Sequence, residues 1–315
     1  MPKKILFDTD PGVDDAMAIL YGLHSPELEF VGLTTVFGNT YVETTTLNAL
    51  SLVELEGRSD IKVAQGAGKP YVRPEPFYGH RFHGEDGLGG ARASVPMPLG
   101  RAIDTPAAQF IVETIMSNPG EITLAAVGPL TNLALALRLE PRIVENVREV
   151  VVMGGTAYRP GNVSPVAEAN ISNDPHAASL VFSAGWNLTM VGLDVTTRAI
   201  MSPEMIAEIT GAGTPASDLL KKILPLYQDA HHLTDGMGGA INTHDPSAIG
   251  FMIDPSMFTT QRIPLYVETQ GKCAGFTVPD PRRKWKESVE VNVCVDVDSP
   301  RLLKMIRDRL VKAQG

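Results

Sequence analysis

Short apolar runs alternate with amphipathic stretches over the first two thirds of the chain. "KILFDT" (4–9) is a continuous buried-strand run, and Val13 to Leu23 then shows helical spacing. "FVGLTTVFG" (30–38) is rich in β-formers, and Val42 to Leu55 is again helical. "ITLAAVG" (122–128) precedes a helix from Pro129 to Leu139, and "EVVVMGG" (149–155) is another strand. Asp174 to Ser183 reads as helix, and "LTMVGLDVT" (188–196) as a return to strand. Ser217 to His232 is helical, 261–296 reads as antiparallel strands or a hairpin, and a closing helix runs from Pro300 to Lys312. Strands without polar alternation, each followed by a helix, predict an α/β fold. The expected architecture is a Rossmann-like open, mostly parallel sheet with helices on both faces. Neither a repeat nor a linker interrupts it, so residues 1–315 are expected to form one domain.

The rhythm breaks at 66–104, a segment dense in Pro, Gly and charge. It is too long for a mere connector, which marks it as functional. In open α/β sheets ligands bind beyond the carboxyl ends of the strands. Here those ends carry Asp8 and Asp10, Gly38 and Asn39, Val127 and Gly128, and Gly154 and Gly155 with Asn162 beyond.

The first of these ends is the most unusual. "FDTDPGVDDA" (7–16) places Asp8, Asp10, Asp14 and Asp15 within eight positions. Helix capping and the helix dipole account for one or two of them. Four acids sharing a site repel and raise one another's pKa. A divalent cation removes the conflict, and oxygen donors favour Ca²⁺ or Mg²⁺ over Zn²⁺. "NTHDPSAIG" (242–250) brings His244 and Asp245, and "GNVSPVAEANISNDPHAA" (161–178) brings Asn162, Glu168, Asn170 and Asn173, donors and acceptors suited to sugar hydroxyls. "FHGEDGLGG" (82–90) adds His83 among glycines. Each is unremarkable alone: "HDP" commonly starts a helix, and an isolated Asn or His commonly belongs to a polar loop.

Charge and cysteine content narrow the picture. With 27 Lys and Arg against 36 Asp and Glu, the net charge of −9 argues against nucleic-acid and anionic-membrane partners. No segment reads as a membrane span and the N-terminus lacks a secretory apolar region, so a cytoplasmic protein is the expectation. Cys273 and Cys294 have no metal-type spacing; both lie in strand-like sequence and are expected to be reduced and structural.

The assembled motifs resemble the inosine-uridine-preferring nucleoside hydrolases. "DTDPGVDDA" (8–16) is a highly specific string, and the likeness continues through "FGN" (37–39), "HGEDGL" (83–88), "VGPLTNLA" (127–134), "GNVSPVAEAN" (161–170) and "HDPSAI" (244–249). The resemblance implies one Ca²⁺ held by Asp10, Asp15, Asp245 and the backbone carbonyl of Val127. It implies that Asp14, Asn39, Asn162, Glu168 and Asn170 grip the ribose hydroxyls. His83 is expected near the 5′-hydroxyl and His244 beside the leaving base. One departure is Ala169, where related sequences often carry a bulky aromatic. The implied reaction is hydrolysis of a ribonucleoside to ribose and base through an oxocarbenium-like state. In it Asp10 deprotonates a water that the cation positions, and His244 protonates the base. A homodimer or homotetramer acting in nucleoside salvage is also implied. Tyr227, Gln228, His231 and His232 are possible base contacts, in a stretch that the following "LTDGMGG" (233–239) lets close over substrate.

Two other readings compete. "FDTD" also suits a haloacid-dehalogenase-type phosphohydrolase with Asp8 as nucleophile and Mg²⁺ as cofactor. A non-catalytic Ca²⁺-dependent nucleoside or ribose binder would retain the same pocket. A dinucleotide enzyme fits poorly, since no G-x-G-x-x-G follows the first strand and the acids there would repel a pyrophosphate.

Overall fold

The computed structural model describes residues 1–312. Its strands are β1 (Lys3–Thr9), β2 (Leu28–Thr35), β3 (Val63–Gln65), β4 (Thr123–Ala126), β5 (Glu149–Met153), β6 (Leu188–Val191), β7 (Ile200–Met201), β8 (Ile241–Asn242), β9 (Phe258–Val267), β10 (Thr277–Pro279) and β11 (Val289–Val297). Nine form one sheet in the order β10-β9-β11-β6-β5-β4-β1-β2-β3. From β11 to β3 every pairing is parallel; at one edge β9 runs counter to the rest, pairing antiparallel with both β11 and β10. The expected α/β class and mostly parallel sheet are therefore present. β7 and β8 form a separate antiparallel ribbon that sequence reading did not anticipate.

The continuous apolar strands are explained by burial on both faces. Along β1, Ile5 and Phe7 enter one core cluster while Leu6 enters the other. In β4 and β5, Ala125 and Val151 face the first cluster, and Leu124, Ala126, Val150 and Val152 the second. The period-two alternation is thus between two apolar layers, not between core and water.

Predicted helices fall close to their expected spans: Val13–Leu23, Val42–Leu55, Thr131–Leu139, Pro175–Ser183, Pro215–Asp235 and Ser299–Val311. Asp174 is the cap of its helix, its carboxylate accepting from the Ala177 N–H. Two expectations need correction. "LTMVGLDVT" does not stay extended: β6 ends at Val191, and Leu193–Thr196 forms a turn of helix. The buried Asp194 draws the chain round there by accepting from the Ala157 and Tyr158 N–H groups at 2.8 Å each. Cys273 is not a structural strand residue. It lies exposed in the 3-10 turn Gly271–Cys273, whereas Cys294 is buried in β11.

The 66–104 segment is mostly irregular, with a short helix His80–His83 and a 3-10 turn Arg92–Ser94. It is tied down from outside. The Tyr71 N–H donates to Asp174, and Phe77 exchanges main-chain hydrogen bonds with the Asn173 side chain. These bonds hold His80–His83 over the carboxyl end of the sheet. No helix among the described residues is long and apolar enough to cross a membrane.

Candidate functional site

β1 ends in the acid cluster, and its neighbours close around it. Asp8 is fully buried beneath the site, accepting from Thr34 Oγ1 and, at 2.8 Å, from Asn132 Nδ2. Asn132 also donates to the Thr35 carbonyl and accepts from the Ala67 N–H. One amide thereby joins β1, β2 and the long segment. Burial pushes the Asp8 carboxyl up to about 7.

Asp10 follows, with Oδ2 accepting from the Asn39 N–H at 2.7 Å and Oδ1 buried without a partner. Two glycines give it room. A Cβ at Gly38 or Gly128 would lie on the Asp10 carboxylate, at 2.1 Å from Oδ2 and 2.5 Å from Oδ1 respectively.

Asp14 and Asp15 occupy the first turn of the Val13–Leu23 helix. Asp15 is enclosed by donors: Thr9 Oγ1 at 2.5 Å, the Asp10 and Gly12 N–H groups, and Asn39 Nδ2 at 2.8 Å. Asp14 Oδ2 accepts from Tyr227 Oη at 3.1 Å, while its Oδ1 has no partner. Asp245 is buried in the first turn of the His244–Ile253 helix and accepts no hydrogen bond among the described residues. Donor atoms of Asp14, Asp15 and Asp245 lie within 4.8 Å of one another.

The electrostatics follow from this crowding. Burial first, then the charge of Asp15, holds Asp10 well above the usual carboxylate range. Burial lifts Asp14 to about 6, and burial followed by the charge of Asp14 lifts Asp15 to about 6. Asp245 is driven up by burial and then by Asp14, Asp15 and Asp10. Carboxylates this close, with unpartnered buried oxygens, fit a hard divalent cation. The donor set is oxygen only, which does not suit zinc.

The second wall comes from the ends of β4 and β5. Glu168 caps the Ala169–Asn173 helix, accepting from the Gly155, Asn170 and Ile171 N–H groups. Burial raises its carboxyl. Asn170 Nδ2 donates to the Val127 carbonyl at 2.8 Å and to that of Met153. Asn162 Oδ1 accepts from the Ala169 N–H. Ala169 itself lines the cavity.

Three histidines form the opposite wall. His83 Nδ1 accepts from the Val13 N–H at 3.1 Å, so any proton on that ring sits on Nε2. Burial pulls its pKa down to about 4. His244 Nδ1 meets Thr196 Oγ1 at 2.9 Å, and burial, then His231 and His83, lowers its pKa to about 3. His231 packs edge-on to Tyr227, with ring centroids 4.6 Å apart. Between these walls lies a cavity of about 570 Å³, bordered by Asp10, Asp14, Asn39, His83, Val127, Asn162, Glu168, Asn170, His244 and Asp245. Of the acids, amides and histidines singled out in the sequence, Asp8 and Asp15 do not border it; nor do Gln228, whose Nε2 donates to the Gly239 carbonyl at 2.7 Å, and His232, which is exposed. Sequence reading missed Asp8 and Asn132 as the platform and the Tyr227–Asp14 bond. The motifs contained the first two; nothing marks a contact between residues 213 positions apart.

A family model described as inosine-uridine preferring nucleoside hydrolase matches residues 5–304. The chain is 41% identical over 319 residues to a probable uridine nucleosidase 2 of Arabidopsis thaliana, covering 99% of this chain and 98% of that protein. It is 41% identical to an inosine-uridine preferring nucleoside hydrolase of Leishmania major, covering 98% of each. A purine-preferring ribonucleoside hydrolase from Gardnerella vaginalis superposes with a TM-score of 0.92 at 33% identity, covering 98% of each chain. With the acid cluster, the parallel sheet and the cavity already in place, the matches over nearly the whole length mean that this chain belongs to the inosine-uridine preferring nucleoside hydrolases, a family of N-glycosyl hydrolases.

Proposed function

We propose that the protein hydrolyses the N-glycosidic bond of ribonucleosides with Ca²⁺ in the acid cluster, held by Asp10, Asp15, Asp245 and the Val127 carbonyl. The observation that carries this reading is the set of buried, crowded carboxylates with unpartnered oxygens at one side of a cavity whose far side is histidine. Bound there, a hard cation supplies the positive charge that lets these acids stay ionised and gives oxygen ligands a fixed position.

The chain's own groups divide the remaining work. Asp10 Oδ1, free of hydrogen bonds, takes the proton of the attacking water as its oxygen bonds to C1′. Asp14, Asn39, Asn162, Glu168 and Asn170 hold the ribose, and their negative and amide oxygens favour positive charge developing on the ring. The carboxylates enter already ordered by Tyr227 and by main-chain N–H groups, which limits reorganisation. His83 lies at the 5′ side. His244 delivers a proton to the departing base, its ring fixed by Thr196.

The named relatives, one for uridine, one for inosine and uridine and one for purines, support a ribonucleoside substrate without choosing the base. The resemblance also supports one domain over 1–315, a homodimer or homotetramer, and a cytoplasmic role in nucleoside salvage. The phosphohydrolase alternative fails on geometry: Asp8, its nucleophile, is sealed below Asp10 and bonded to Thr34 and Asn132. The test is a panel of uridine, cytidine, inosine and adenosine with a reducing-sugar readout. Free base and ribose are expected from at least one substrate. His244→Ala should lower turnover by about 10²–10⁴-fold, the usual worth of a positioned acid. Binding without sugar release would replace the enzyme with the non-catalytic binder.

A further inference from the structure

The histidine wall contains a group that the mechanism above leaves idle. His231 is 3% exposed, yet its Nε2 is buried without a hydrogen-bond partner. Its other nitrogen, Nδ1, faces Asp235 Oδ2 at 3.4 Å, one turn further along the Pro215–Asp235 helix. The carboxylate keeps a proton on Nδ1, so any proton the ring exchanges passes through Nε2. The ring is clamped edge-on by Phe82 and Tyr227, with centroids at 5.4 and 4.6 Å. It lies 6.3 Å from the His244 ring, and His231, Asp235 and His244 all border the cavity. A buried imidazole at a pocket's edge, with one nitrogen backed by a carboxylate and the other left without a partner, has the makings of an acid–base dyad.

We infer that His231, backed by Asp235, is a second catalytic acid that protonates the leaving base alongside His244. This rests on the ribonucleoside hydrolase reading of the site. The step balances as follows. The C1′–N bond breaks and its electron pair goes to the base. The proton on His231 Nε2 moves to an acceptor atom of that base, leaving His231 neutral. Water supplies the new C1′–O bond and loses its proton to Asp10; Asp10 then releases that proton to solvent, and solvent returns one to His231. Burial, the larger influence, disfavours the charged ring, and Asp235 opposes it in part. Two acids on one wall suit bases that offer more than one acceptor, as both purines and pyrimidines do.

The experiment compares a natural leaving group with one that needs no proton. Uridine, inosine and p-nitrophenyl β-D-ribofuranoside are assayed with the Ca²⁺-loaded enzyme and with His231→Gln and Asp235→Asn. His231→Gln keeps size and hydrogen bonding but has no acidic proton to transfer. It should lower kcat on at least one nucleoside by about 10²-fold and change the nitrophenyl riboside by less than about 3-fold. Asp235→Asn, at a half-exposed position, should give the same pattern at about 10-fold. Equal losses on both substrate types would make His231 a packing residue and overturn the inference, as would unchanged rates on both. Failure of the unsubstituted enzyme to cleave any of the three would instead overturn the hydrolase reading.

Discussion

At the scale of single residues, the site depends on what is missing as much as on what is present. Gly128 matters because its α-hydrogen faces Asp10; a methyl there would sit 2.5 Å from Oδ1 and 3.0 Å from Cγ. Gly128→Ala is expected to turn the carboxylate aside and lower kcat/KM on the preferred nucleoside by about 10²-fold, the cost of misplacing a reacting group by about an ångström. Thermal denaturation run in parallel should show a much smaller effect, since the residue lies outside the apolar clusters. A loss of stability as large as the loss of activity would show the glycine to be structural. Individual site residues were largely legible from the sequence, because the acids, Asn39, His83 and His244 stand in short motifs. Their partners were not. Tyr227 bonds Asp14 from another helix and carries no local signal, while Asp235 stands four residues from His231 but beyond the end expected for that helix at His232.

At the scale of elements, helix ends carry the polar work. The Val13–Leu23 helix presents Asp14 and Asp15 at its first turn and ends at His24. There Nδ1 faces the Arg309 carbonyl at 3.0 Å and Nε2 faces Glu56 at 2.8 Å, the residue that ends the Val42–Leu55 helix. Both neighbours are acceptors, so the ring is satisfied only when both nitrogens carry protons. Burial pushes its pKa down, but the bonds from Glu56 and Arg309 and the Glu56 charge outweigh it and leave it above 6.5. A pKa raised on folding gives stability that is full below the unfolded value and fades as pH rises through the folded one. Glu56→Gln should therefore depress Tm more at about pH 5.5 than at about pH 8.5. An equal depression at both would mean that His24 is uncharged throughout. Strand and helix identities were readable because apolar runs without alternation leave a parallel sheet as the simplest solution. The helical turn Leu193–Thr196 was not, because a buried side-chain carboxylate reaching 36 and 37 residues back overrides local β-propensity.

At the scale of the whole molecule, a cation bound where we propose would be thermodynamically coupled to the fold. A ligand that binds only the folded state stabilises it by about 2.7 kcal/mol at a hundredfold excess over its dissociation constant. Exhaustive chelation is expected to abolish sugar release and lower Tm, and added Ca²⁺ to restore both. Full activity after chelation would remove the cation from the mechanism. The sheet order adds a constraint in time. β1, which leads into Asp10, lies between β2 and β4, whereas Asp245 opens a helix that follows β8. Asp10, Asp14 and Asp15 are therefore synthesised well before Asp245, the acid that completes the cluster. If the cation site is as we propose, a nascent fragment stopped short of β8 lacks one of its carboxylates and is expected to capture calcium far more weakly than the finished polypeptide.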